Sequence, residues 1–90
     1  MTVTVRIFGT RLRRILGTRE ILVNVDGDTL EDIIEGLVTM FGQAVTKELL
    51  DNEGNLDYCY GFFARGERLQ NLSDKIGANE LFILSAVAGG

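Results

Sequence analysis

The stretch Thr29-Leu30-Glu31-Asp32-Ile33-Ile34-Glu35-Gly36-Leu37-Val38-Thr39-Met40-Phe41-Gly42 decides the fold. Leu30, Ile33, Ile34, Leu37, Val38 and Phe41 recur at helical spacing and make one apolar stripe. Glu31, Asp32 and Glu35 lie on or beside the other face, and acids in the first turns suit the positive end of the helix dipole. Asp28 or Thr29 can cap the start, with Glu31 at capping-box spacing from Asp28. Gly42 is a stop, and Gly36 marks a close approach to a neighbouring sheet. A helix with one apolar face has to bury that face against something else.

The flanking segments supply it. Val3, Val5 and Ile7 alternate with Thr4, Arg6 and Phe8, and Ile21, Val23 and Val25 alternate with Glu20, Leu22 and Asn24. Period two with β-branched residues predicts two strands, at 2–8 and 19–25, paired antiparallel. Phe8 is the aromatic exception on a polar face. Between the strands, residues 9–18 read as a loop with a short helical turn that tucks Leu12, Ile15 and Leu16 under the domain. Asp26-Gly27-Asp28 is a turn signal before the helix.

After Gly42, residues 45–50 can form a short helix and Asp51–Asn55 a loop. Asp51, Glu53 and Asp57 lack EF-hand spacing, so calcium is not expected there. Tyr58–Ala64 and Leu81–Leu84 are strands with apolar residues on both faces; Arg68-Leu69 adds a short edge strand. A doubly apolar strand is either fully buried in the sheet centre or covered by a partner.

These elements assemble as an α+β roll of the β-grasp type. A mixed sheet of four to five strands carries one main helix on one face. The first and last strands lie parallel at the centre, and their right-handed crossover passes through the helix. Val3, Val5, Ile7, Ile21, Val23, Leu30, Ile33, Ile34, Leu37, Leu81 and Ile83 form the expected core. Phe8, Phe82 and Leu84 share the opposite, helix-free face.

Composition narrows function. Ninety residues make one domain, with little room for a deep pocket. There is no histidine, no proline and a single cysteine. Histidine-based triads, His-ligated zinc, an internal disulfide and a multi-cysteine metal or iron–sulfur site are all excluded. Cys59 reads as an inert core thiol. The net charge of −4 argues against nucleic acid as main partner. Arg6, Arg11, Arg13, Arg14 and Arg19 cluster early; such a cluster can contact RNA or an acidic partner, but its first reading is a solvated edge and loop. No apolar run is long enough to span a membrane and no leader is evident, so a cytoplasmic location is expected.

The sequence closes on Val87-Ala88-Gly89-Gly90, directly after the last strand. Residues 1–86 are expected to be the domain and 87–90 a flexible tail. Glycine has no side chain, so such a tail can enter a narrow channel on another protein.

Here the chain resembles the ubiquitin-like sulfur carriers, which include the molybdopterin synthase small subunit and the thiamine-pathway carrier. The resemblance covers nearly the whole chain. It rests on Phe8-Gly9-Thr10-Arg11-Leu12-Arg13-Arg14-Ile15-Leu16-Gly17, Thr29-Leu30, Phe63-Ala64-Arg65-Gly66-Glu67, and the ending Glu80 to Gly90. Only the ending is specific. The chain departs from the family in having Gly77-Ala78-Asn79-Glu80 before the last strand and Ser85-Ala86 in place of a proline pair.

The resemblance implies a protein co-substrate with no cofactor or metal of its own. A ubiquitin-activating-like adenylyltransferase uses ATP and magnesium to adenylate the Gly90 carboxylate, and sulfur converts it to a thiocarboxylate. That sulfur is expected to serve molybdopterin synthesis on a synthase large subunit. Alternatives are thiamine or tRNA thiolation, or conjugation to lysines through Gly90 as in archaeal ubiquitin-like modifiers. Gly89 and Gly90 carry the chemistry, and Val87 and Ala88 extend the inserted segment. Phe8, Leu69, Phe82 and Leu84 are the expected docking patch with Arg65 at its rim; the free chain is expected to be a monomer.

Overall fold

The alternating segments fold as the hydrophobic patterns require. A computed structural model describes residues 1–86. Its elements are β1 (Thr2–Phe8), α1 (Thr10–Leu16), β2 (Glu20–Asn24), α2 (Leu30–Phe41), α3 (Gln43–Leu49), β3 (Tyr60–Ala64), β4 (Glu67–Leu69) and β5 (Glu80–Ser85). The strands form one five-stranded sheet in the order β2-β1-β5-β3-β4. β1 and β5 are parallel neighbours in register Thr4↔Glu80 through Phe8↔Leu84. All other pairings are antiparallel. This is the α+β β-grasp architecture expected from the sequence.

One sheet face is covered by helices. Val3, Val5, Ile7, Val23, Phe62, Leu81 and Ile83 meet Leu30, Ile33, Ile34 and Leu37 of α2, with Leu12, Leu16, Val45 and Leu49 from the shorter helices. Ile21 is only partly buried, because on the edge strand β2 it is Val23 that lies against Gly36 of α2. Gly36 allows α2 to lie directly on β2: a Cβ there would come within 2.6 Å of Val23 Cγ1.

The start of α2 is sealed by capping and by a distant segment. Thr29 is the cap, and its partner in the capping box is Asp32 rather than Glu31. The Asp32 amide donates to the Thr29 hydroxyl, and the Thr29 amide to the Asp32 carboxylate. The two preceding amides, of Leu30 and Glu31, donate to the carbonyls of Asp74 and Leu72 at 2.9 Å each. The first-turn donors that every helix leaves unpaired are thus satisfied.

Three other expectations are refined. Residues 10–16 form a complete short helix, since Leu12 and Leu16, four apart, are both buried. The helix at 45–50 begins earlier, at Gln43. β3 begins at Tyr60 rather than Tyr58, because Asp57 holds the chain in a turn: its carboxylate accepts from the Cys59 amide and its carbonyl from the Tyr60 amide. No helix among the described residues is long and apolar enough to cross a membrane.

The Thr29 hydroxyl and amide hold the Asp32 carboxyl below its ordinary range, and backbone amides of Gln70 and Asn71 do the same for Asp74. A lowered carboxyl pKa contributes stability that is complete above the unfolded-state value and lost as pH falls through the folded-state value. Urea unfolding of Asp32→Asn and of Asp74→Asn should each show a shallower loss of stability below about pH 4 than the parent chain. At neutral pH, Thr29→Ala should cost about 1 kcal/mol.

Candidate functional site

The helix-free face is built by the residues that alternate with the core. From β2 to β4 these include Leu22, Arg6, Phe8, Phe82, Leu84, Phe63 and Arg68. At one end of this face Phe8 and Phe82 stack, with ring centroids 6.3 Å apart and planes 16° apart. Phe8 is 53% exposed and Leu84, its register partner on β5, 37%. β5 is a central strand, but only Leu81 and Ile83 are enclosed, so its second apolar face is open.

Phe63 completes the surface. It lies opposite Phe82 on β3, and its ring folds over Gly61, where a Cβ would approach the ring within 2.8 Å. Arg68 stands over the other side of this group, 5.9 Å from the Phe63 centroid. Neither residue was expected from sequence. Their signal was present in the Tyr60–Ala64 run, where Gly61 and Phe63 occupy the face opposite Tyr60, Phe62 and Ala64.

Two of the expected patch residues do not join it. Leu69 pairs with Phe62 and is only 7% exposed, so it belongs to the core face. Arg65 sits in the turn between β3 and β4, with its guanidinium packed over Gly77. Continuing the β3–β5 register places it opposite Glu80, about 17 Å along the strand from Ser85. Val87, Ala88, Gly89 and Gly90 lie outside the described residues.

The last described residues are firmly held. The Ala86 amide donates to the Cys59 carbonyl at 2.6 Å, and Ser85 pairs with Tyr60. The buried Tyr60 hydroxyl donates to Glu48, which also accepts from Arg11 at 3.2 Å. Burial, then the Glu48 carboxylate, push the Tyr60 phenol far above its ordinary range. Cys59 is half-buried in the turn, outside the strand; the Asp57 carboxylate raises its thiol pKa, followed by burial. Both effects disfavour the thiolate, the form needed for nucleophilic attack.

No protein-family model and no curated protein matches this chain. Solved structures do. SAMP1 from Haloferax volcanii matches with a TM-score of 0.80 and 27% identity, covering 100% of both chains. A chain of the Amycolatopsis orientalis BexX/CysO complex matches at 0.74 and 27%, covering 98% of this chain and 99% of that one. Mycobacterium tuberculosis CysO matches at 0.73 and 24%, over 94% and 99%. The structural neighbours are ubiquitin-like sulfur carriers and modifiers, in agreement with the resemblance carried by the tail motif.

A raised phenol pKa contributes stability that is present at neutral pH and lost as pH rises above the unfolded tyrosine value. In a Tyr58→Phe chain, where Tyr60 is the remaining tyrosine, phenolate absorbance should therefore appear well above pH ~10 and coincide with unfolding. Tyr60→Phe should lower stability at neutral pH by about 2 kcal/mol in urea melts.

Proposed function

We propose that this chain works as a ubiquitin-like carrier or modifier through its Gly89-Gly90 end. The observation that carries the reading is the placement of β5. A central strand with an open apolar face, anchored at Ala86, leads straight into Val87-Ala88-Gly89-Gly90. The likeness to SAMP1 and CysO supports the same class of function. A partner seated on Phe8, Phe82, Leu84 and Phe63 would receive the tail alongside the rigid end of the sheet.

In this reading the Gly90 carboxylate attacks the α-phosphate of magnesium-bound ATP on an adenylating partner and releases pyrophosphate. The resulting acyl-adenylate is a mixed anhydride. A sulfide equivalent attacks its carbonyl and expels AMP, leaving the thiocarboxylate. The chain itself supplies no acid or base. Its fold provides a carboxylate free of side chains and a surface that orients it. Sulfur transfer in molybdopterin synthesis, on a synthase large subunit, is the assignment that we favour.

A second reading is favoured by the neighbour described as small archaeal modifier protein 1. Here the acyl-adenylate passes to the lysine amines of other proteins instead of to sulfide. The two readings share the activation step and differ in the acceptor.

Intact-mass analysis of the chain isolated from its native host should reveal a species in which one oxygen is replaced by sulfur. Deleting Gly90 should abolish it, and its repeated absence from the parent chain would falsify the carrier reading. Gly-Gly remnants on lysines of other proteins would establish the modifier reading. Replacing Phe8 and Leu84 with Asp should raise KM for ATP–pyrophosphate exchange by about tenfold or more while leaving the melting temperature nearly unchanged.

A further inference from the structure

Arg13, Arg14 and Arg19 line one open cleft of about 560 Å³, together with Thr10, Gly17 and Thr18. These three differ from the chain's other arginines. Arg6 is shared between Glu20 and Glu80 and Arg11 is bonded to Glu48, while Arg68 covers Phe63 and Arg65 packs over Gly77. Among the described residues, no carboxylate pairs with Arg13, Arg14 or Arg19, although acids outnumber bases 13 to 9 in the sequence. Three exposed guanidiniums held together and unneutralised repel one another, a cost that an anionic partner removes.

The cleft lies at the tail end of the sheet. The Ile7 amide donates to the Arg19 carbonyl at 2.8 Å, and Ile7 is the parallel partner of Ile83. Thr10 follows Phe8 by two residues. The basic cleft therefore lies at the same end of the sheet as the exposed Phe8–Phe82–Leu84 group. An apolar centre bordered by arginines is the anatomy of a protein interface.

We infer that this cleft receives an acidic segment of the adenylating protein, so that Asp and Glu side chains of that partner pair with Arg13, Arg14 and Arg19 as the tail enters its channel. The inference rests on the proposed activation of Gly90 and adds the charge of the surface that recognises it. A protein is favoured over a free phosphate or RNA for two reasons. The cleft shares its end of the sheet with the exposed Phe8 and Leu84, and a protein surface offers apolar cover for these together with carboxylates for the arginines. The net charge of −4 also opposes a polyanion at long range.

The test uses the full chain and the ubiquitin-activating-like adenylyltransferase from its own host, read by ATP–pyrophosphate exchange. The triple substitution Arg13→Gln, Arg14→Gln and Arg19→Gln should raise KM for the chain by about tenfold at low salt, with kcat unchanged. The difference should shrink as salt is raised, and the triple Lys counterpart should retain most of the affinity. An unchanged melting temperature confirms that the variants fold. If the parent chain is activated and the Gln variant shows the same KM and salt slope, the inference is overturned while the tail chemistry stands. If the parent chain is not activated at all, both fall. Loss of binding to a poly(U) probe in the Gln variant, with KM unaffected, would reassign the cleft to nucleic acid and overturn the inference.

Discussion

The parallel pairing of β1 with β5 is the constraint on which the rest of the structure depends. Two parallel neighbours cannot be joined by a tight turn, so the chain between them has to cross over one face of the sheet. Here that crossover contains α2, and its apolar stripe covers Val3, Val5, Ile7, Leu81 and Ile83. The same pairing puts Phe8 beside Leu84. Residues 76 positions apart in sequence thus become one surface at the point where the chain leaves the sheet.

The helices cover only one face, and that asymmetry creates the exposed surface. The core face carries branched aliphatic residues and Phe62. The open face is mostly polar or ion-paired, with Arg6 held between Glu20 and Glu80 across three strands. Its apolar character is concentrated at Phe8, Phe82, Leu84 and Phe63. A patch made from paired strands holds its geometry better than a loop would, which suits it to receive a partner. The Tyr60–Glu48–Arg11 bonds and the Ala86–Cys59 bond stiffen the same end from beneath.

Charge is distributed to the same effect. Acids gather at the start of α2, where Asp32 closes the capping box and the dipole favours them. Arg13, Arg14 and Arg19, which have no carboxylate partner among the described residues, gather beside the end of the sheet where β5 finishes. A modest net charge therefore conceals a molecule with a basic margin next to its apolar patch, and the two together distinguish this end from the rest of the surface.

The sequence by itself determined the elements and their inward faces. The stripe from Leu30 to Phe41 and the alternation in residues 2–8 and 19–25 are local properties, set by 3.6-residue and two-residue periods. The exclusion of histidine and thiol-pair chemistry was equally legible, since it depends only on which residues exist. Tertiary structure decided what no local pattern carries. Asp28 and Thr29 both satisfied the capping rule; Thr29 and Asp32 form the box, with carbonyls from residues 72 and 74 holding the neighbouring amides. In the doubly apolar runs, both faces look alike in sequence. The side on which the helices stack buries Leu69 and Ile83 and leaves Phe63 and Leu84 open. Antiparallel register carries Arg65 to the far end of the sheet, while the β1–β2 connection folds Arg13, Arg14 and Arg19 back beside the near end. Exposure and proximity arise from which elements pack together, and those contacts join residues too distant in the chain for any periodicity to relate them.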